Sequence, residues 1–389
     1  MEENEKKNKA NIILIVVVIL LLIALVFMLF KYVFTGGESI YNCTYDGELV
    51  EGAKYTNGQY NYTYLKTYDG WKVSLVDKTS TEPINTKLCG TVNKKPIVSM
   101  RSLFLNSQAT SIDLSSFYTK NVIDMSYMFQ DSKVTSLNLS SFDTGKVTDM
   151  QAMFARVNVD KLDVSMLDTR SVVNMRDTFY GVKAKEINLN GFETDNAITM
   201  RGMFAHIDID NVSLTGFNTI KVYDMSQMFL EAKVNTLDLS KLETKNVQNM
   251  DGMFQGIVTR TLDLSNFNTG EVRTMSAMFA LTHLDSLNID NFDTSKVTDM
   301  TNMFMDCHNL KSINLKSFNT SKVNSMQGIF ARTDLETLDL SSFDMSSVTN
   351  TSVMFLDAKA KLGYAKTKKD AEKLNASSGK SSSLVFKTK

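Results

Sequence analysis

The chain has 389 residues, with 42 Lys+Arg against 43 Asp+Glu and a formal net charge of -1. Without a basic excess there is no field to draw in a polyanion, so no nucleic-acid partner is expected. Only two prolines, beside 23 methionines and 23 phenylalanines, exclude a chain rich in irregular loops.

Residues 12–30, "IILIVVVILLLIALVFMLF", are an uninterrupted apolar run. As a helix the run spans roughly 28 Å, close to the ~30 Å of a hydrocarbon core. No small-residue cleavage site follows in "FKYVFTGGES", so a retained transmembrane signal-anchor is expected over residues 12–34. Lys6, Lys7 and Lys9 precede the span and Lys31 alone follows it closely. That asymmetry makes residues 1–11 a cytoplasmic tail and puts the rest of the chain outside the cell, held to the membrane by this helix.

Residues 40–97 read as a small β-rich domain. "YNYTYLKTYDGWKVSLVD" alternates Tyr, Thr and Val around a turn signal at Asp69 and Gly70, the pattern of a hairpin. Cys43 and Cys89 bracket this segment. In an oxidising compartment a disulfide between them would stabilise it by about 3–4 kcal/mol; two free thiols are the alternative. Cys307 is left over and reads as a small apolar residue.

From Met100 onward the chain repeats. Met100, Met125, Met150, Met175, Met200, Met225, Met250, Met275 and Met300 fall 25 residues apart, and Met326 follows after 26. A phenylalanine stands four residues after each, from Phe104 to Phe330. A fixed period in the range of roughly 20–50 residues marks a solenoid, here of about ten coils over residues 98–356. Each coil reads V-x-x-L-x-L-x-x-F-x-T-x-x-V-x-x-M-x-x-M-F. The "LNLSSF" part alternates like a half-buried strand, and the "VTDMQAMF" part has the spacing of a single helical or 3₁₀ turn. Asp149, Asn174, Asp224, Asn249 and Asp299 stand where they would cap that turn. One coil alone buries too few side chains to offset the ordering of its backbone, so neighbours must bury each other's faces.

These motifs resemble the bacterial surface protein repeat of BspA-like leucine-rich-repeat proteins, of the "FDTSxVTDMSxMF" type. The resemblance covers about Met100 to Phe355; "MFMDCHNLKSINLKSFNTSKVNSM", ending at Met326, is the fullest copy. The other coils are one residue shorter after the Phe, lack the cysteine, and carry Phe or Leu where ordinary leucine-rich repeats place a turn Asn. Thr144, Thr169, Thr194 and Thr219 are therefore expected to satisfy the buried turn as a hydroxyl ladder. The resemblance implies a leucine-rich-repeat-like β-solenoid and a surface protein that adheres to host or neighbouring-cell molecules.

Residues 357–389 form a C-terminal cap, read as strand, short helix over Lys368–Asn375, and a final strand from Leu384. Nine lysines against three acids there read as a solvated face.

Little in the chain points to chemistry. His206, His283 and His308 lie in different coils, and no metal-ligand set, P-loop or nucleophile elbow is present, so neither catalysis nor a cofactor is expected. One column projects outward between the strand leucines: Asp113, Asn138, Asp163, Asn188, Ser213, Asp238, Asp263, Asn288, Asn314 and Asp339. Stacked roughly 4.8 Å apart, these residues form a half-acidic stripe. The stripe reads either as a solubilising ladder or as a recognition surface for an extracellular protein, a hydroxyl-rich glycan or Ca²⁺. A spacer or surface-coat rod without a ligand is the competing reading of the whole chain.

Overall fold

The computed structural model describes residues 40–259 and 261–389. The tail at 1–11 and the signal-anchor at 12–34 lie outside these residues; among the described residues no helix is long and apolar enough to cross a membrane.

The N-terminal part is a six-stranded sheet built from β1 (Asn42–Cys43), β2 (Lys54–Asn57), β3 (Tyr60–Leu65), β4 (Gly70–Leu75), β5 (Thr91–Val92) and β6 (Lys95–Ser99). Its strand order is β1-β5-β6-β4-β3-β2. β3 and β4 pair antiparallel, and alternation turns Tyr60, Tyr62 and Tyr64 inward with Trp71, Val73 and Leu75. Asp69 closes the hairpin in the left-handed region, at φ 47°. Trp71 is fully buried and donates its indole N–H to Val92 O at 3.1 Å. A disulfide joins Cys43 to Cys89, with Cα atoms 5.7 Å apart. The sheet is not a body of its own: Asn42–Lys389 form one compact unit. Ile84 already pairs in parallel with Ile112, making residues 78–88 the first turn of the solenoid.

The stack extends past its expected limits at the other end too. β11 (Thr337–Leu340), β12 (Leu362–Ala365) and β13 (Val385–Thr388) continue it in parallel register. The solenoid therefore has about 13 turns rather than ten. Helix α1 (Lys368–Asn375) crosses between β12 and β13 and buries Ala371 and Leu374. Within the array the strands are three residues long, as in β7 (Lys161–Asp163), β8 (Glu186–Asn188), β9 (Asn211–Ser213) and β10 (Thr236–Asp238).

The segment around each methionine corrects the expected helical turn. In the coil of Met150, the N–H groups of Met150, Ala152, Phe154 and Arg156 donate to the next coil, to Asn174, Arg176, Thr178 and Tyr180 O at 2.7–3.1 Å. The N–H groups between them close i→i+3 turns: Met153 to Met150 O, Ala155 to Ala152 O, Val157 to Phe154 O. A helix would keep all of these bonds to itself. Here half leave the coil, because the second and sixth residues after each of these methionines are left-handed, from Ser102 and Asn106 to Gly328 and Arg332, and Val353 and Asp357 follow Thr351 in the same way. Glycine suits such positions, as Gly202 does at φ 61°. The five expected caps do act, each accepting the N–H two residues on; Asp149 takes that of Gln151 at 2.8 Å.

Two buried columns run the length of the array. Phe104 to Phe355 stack ring on ring, with neighbouring centroids 5.3–6.1 Å apart. The threonines form the second ladder, but their hydroxyls bond backbone rather than one another. Thr194 Oγ1 donates to Asn218 O and accepts from Asn218 N, both at 2.9 Å. Thr194→Val keeps the shape and orphans both Asn218 groups. We expect a loss of roughly 2–5 kcal/mol, read as the shift in urea unfolding, with Thr194→Ser recovering most of it.

Candidate functional site

The outward stripe sits where the strand rows end. Asp163 registers with Asn188, Ser213 with Asp238, and Asp339 with Tyr364, so the stripe lies on neighbouring parallel rungs. The stripe residues are not idle, however. Asp113, Asn138, Asp163, Asn188, Asp238, Asp263, Asn288, Asn314 and Asp339 each accept the backbone N–H two residues on, at 2.9–3.3 Å. Each therefore shapes the turn that leaves its strand, by the local competition for backbone that favours Asp and Asn at such places.

These bonds lower the acid range of the stripe. The hydrogen bonds from Ser115, Ser165, Ser240 and Ser265 hold Asp113, Asp163, Asp238 and Asp263 below the usual carboxylate value. At Asp339 burial opposes the effect, and Lys389 with Ser341 outweighs it. Asn188 Nδ2 also donates to Asp163 Oδ1 at 3.0 Å, linking two rungs. Asp238 and Asp263 are exposed and have no ion-pair partner among the described residues. Beside the stripe runs a second outward row, where Lys161 pairs with Glu186 at 3.4 Å and Thr236 bonds Asn211. An open hollow of about 510 Å³ borders this row, lined by Val234, Asn235, Val258, Thr259, Thr261, His283 and Asn309.

A second polar network, on the left-handed turns, escaped the sequence reading. Arg156 forks onto Asp131 with two bonds of 2.6 Å, and Arg332 does the same to Asp306. Asp334 gathers Lys359 at 2.7 Å and Lys311 at 3.0 Å, and their bonds bring its carboxyl down to about 2. Arg101 lies 4.7 Å over the Tyr127 ring, and Arg156 5.6 Å over that of Tyr180. Opposite charges one coil apart were the available signal. His308 stands 3.7 Å from both Asp306 and Asp334, and His206 3.3 Å from Glu231. Among the described residues no cluster of His, Cys, Asp or Glu has the makings of a metal site. Cys307 is buried, donates to Phe279 O at 3.1 Å, and has its thiol pushed up to about 11 by burial. A thiol in that state is inert.

A family model described as "Mycoplasma protein of unknown function, DUF285" matches residues 73–192, 155–266 and 256–368. The chain belongs to this family. The three overlapping matches cover consecutive stretches of the array, as expected when one model spans several coils of a longer repeat. No curated protein and no solved structure matches the chain.

One carboxylate in the array works against the fold. Burial raises the Asp251 carboxyl above the usual range, and the charges of Asp299 and Asp224 add to this, against hydrogen bonds from Thr274 and Ser276. A carboxyl raised in the folded state favours folding when protonated, so ionising it as pH rises subtracts stability. Asp251→Asn keeps the acceptor oxygen and removes the charge. The midpoint of thermal unfolding should rise by about 1–3 °C at pH 7, and the gain should vanish below about pH 4, where both forms are neutral.

Proposed function

We propose that this protein is a non-catalytic cell-surface repeat protein, anchored by its N-terminal apolar segment and presenting the solenoid outside the cell to bind a protein or glycan. The observation that carries the reading is the outward strand face, where carboxylates, amides and a hydroxyl recur on ten successive rungs from Asp113 to Asp339. A rigid, regularly spaced polar face suits a partner that is itself extended or repetitive, and solenoids use such faces for binding. The resemblance of the coil to BspA-like surface repeats supports adhesion, and the family membership supports a repeat protein of this kind. The disulfide between Cys43 and Cys89 supports an oxidising compartment.

A second reading has its own support. Every Asp and Asn of the stripe already caps a turn, so the column has a full structural reason to exist in a spacer that binds nothing. The two readings separate on the outer carboxylate oxygens. Asp238→Asn with Asp263→Asn keeps both caps and removes both charges. On arrays of matrix proteins and glycans the unsubstituted chain should give a saturable signal, and the double variant should lose at least about tenfold of it. Undiminished binding removes the acidic stripe from the account, and an array that stays dark for both proteins supports the spacer.

A further inference from the structure

Just before the strand row, Lys133, Asn158, Asp208, Lys233 and His283 face outward, and Val134, Val159, Ile209, Val234 and Leu284 after them are buried. One coil among these reverses the order. Val258 stands first and is 49% exposed, and Thr259 follows in the place of the buried apolar residue. The stack loses a buried side chain by this exchange and gains nothing.

At the same place the coils part. Val234 N–H reaches Val258 O at 3.5 Å, where the same bond from Val159 to Lys183 and from Ile209 to Lys233 measures 3.1 Å. The row of parallel bridges through Asn158, Lys183, Asp208 and Lys233 stops at Val258. Among the described residues His283 N–H makes no bond to Ile257 O, whereas Val258 N–H reaches Ala232 O at 2.8 Å. The gap is the hollow of about 510 Å³, a size common among small-molecule sites.

Its lining carries no ammonium, guanidinium or carboxylate group. The hollow beside Ala184 differs, being lined by Asp160, Lys183 and Lys185. Asn235 Nδ2 donates to Asp210 Oδ1 at 2.8 Å, and Asn309 Nδ2 to His283 O at 3.1 Å. Both amide oxygens are left without a partner among the described residues, as are the Thr261 hydroxyl and the His283 ring nitrogens, at exposed positions. Two acceptors and two groups that donate and accept, beside an exposed valine, match a sugar ring, whose hydroxyls do both over a face of C–H bonds. An ionised ligand would find no counter-charge in this lining. A peptide brings one N–H per residue, fewer donors than the neighbouring hydroxyls of a ring supply.

We infer that the hollow opened by Val258 and Thr259 binds an uncharged saccharide, with Val258 against the ring and Asn235, Thr261, His283 and Asn309 on its hydroxyls. This rests on the reading of the chain as a surface protein that binds a partner, and assigns the class of that partner.

The test applies the full chain, in a polyoxyethylene detergent that carries no sugar, to arrays of uncharged hexose and N-acetylhexosamine oligosaccharides, of acidic glycans and of matrix proteins. It should bind an uncharged oligosaccharide saturably. Val258→Lys with Thr259→Val restores the order of Lys233 and Val234 and fills the hollow. With native circular dichroism retained, that variant should bind at least about tenfold more weakly. Undiminished binding by it overturns the inference. A chain that binds only proteins or acidic glycans also overturns it and leaves the surface-binding reading standing, while a signal on no array overturns both. If the paired variant loses its native circular dichroism, Thr261→Ala with His283→Ala decides instead. A loss of about tenfold supports the site, and full binding overturns it.

Discussion

Every second peptide N–H around the methionines leaves its own coil and bonds the next. Met150 bonds to Asn174, Ala152 to Arg176 and Phe154 to Thr178, and so on along the array. The rest of the structure follows from this. A buried N–H must have a partner, and a coil whose partners lie in its neighbour has no independent folded state. The two ends must then be finished by something else. The tyrosine-rich sheet with its disulfide does so at one end, and α1 with β13 at the other.

The left-handed residues are the cost of this arrangement. A continuous helix would close its bonds internally, and only a reversal of φ at two positions per coil turns alternate N–H groups outward. Ordinary side chains such as Leu281 and Arg156 accept that strain of about 1–2 kcal/mol each. In return, the flat apposition of coils lets Phe104 to Phe355 stack at close spacing, and lets each buried threonine hydroxyl serve a peptide group one rung away. The outer polar columns obey the same spacing. Asp131 with Arg156, and Asp306 with Arg332, are ion pairs because the stacking sets their coils side by side.

Much of this was legible in the chain. The methionine and phenylalanine columns gave the period, and the buried columns fell where the apolar spacing put them. The Asp and Asn before the methionines were recognised as caps. The error was the turn between them. Met150, Met153 and Phe154 at spacings of three and one satisfy a helical turn and this alternating turn equally, since periodicity reports which side chains face inward and not where the N–H groups go. The distinguishing signal lay in other columns. Gly181, Gly202, Gly252, Gly256 and Gly328, with Asn302, Asp131, Asp177 and Asp306, mark the positions that need positive φ. At the C-terminal end the strand, the helix over Lys368–Asn375 and the last strand are legible, but not that both strands continue the stack: the rungs at Gly363 and Phe386, like the turn through Ile84, carry the stacking register without the repeat's sequence. The stripe residues also hold the turns that follow them, through the N–H groups two residues on, and alternation along a strand reports a side chain's direction and not such a bond.

For function, the consequence is a division of labour within each coil. The columns that repeat make the stack, and the outer oxygens and charges are what remains to meet a partner. If stacking register is the unit of folding, the array should tolerate loss of one whole coil and no fraction of one. The direct measurement is urea unfolding, followed by circular dichroism, of two deletions beginning at the same residue. One removes residues 205–229, a full 25-residue period, and the other removes residues 205–216. The account predicts that the first still unfolds in a cooperative transition and that the second shows none. Equal loss of structure in both would contradict it.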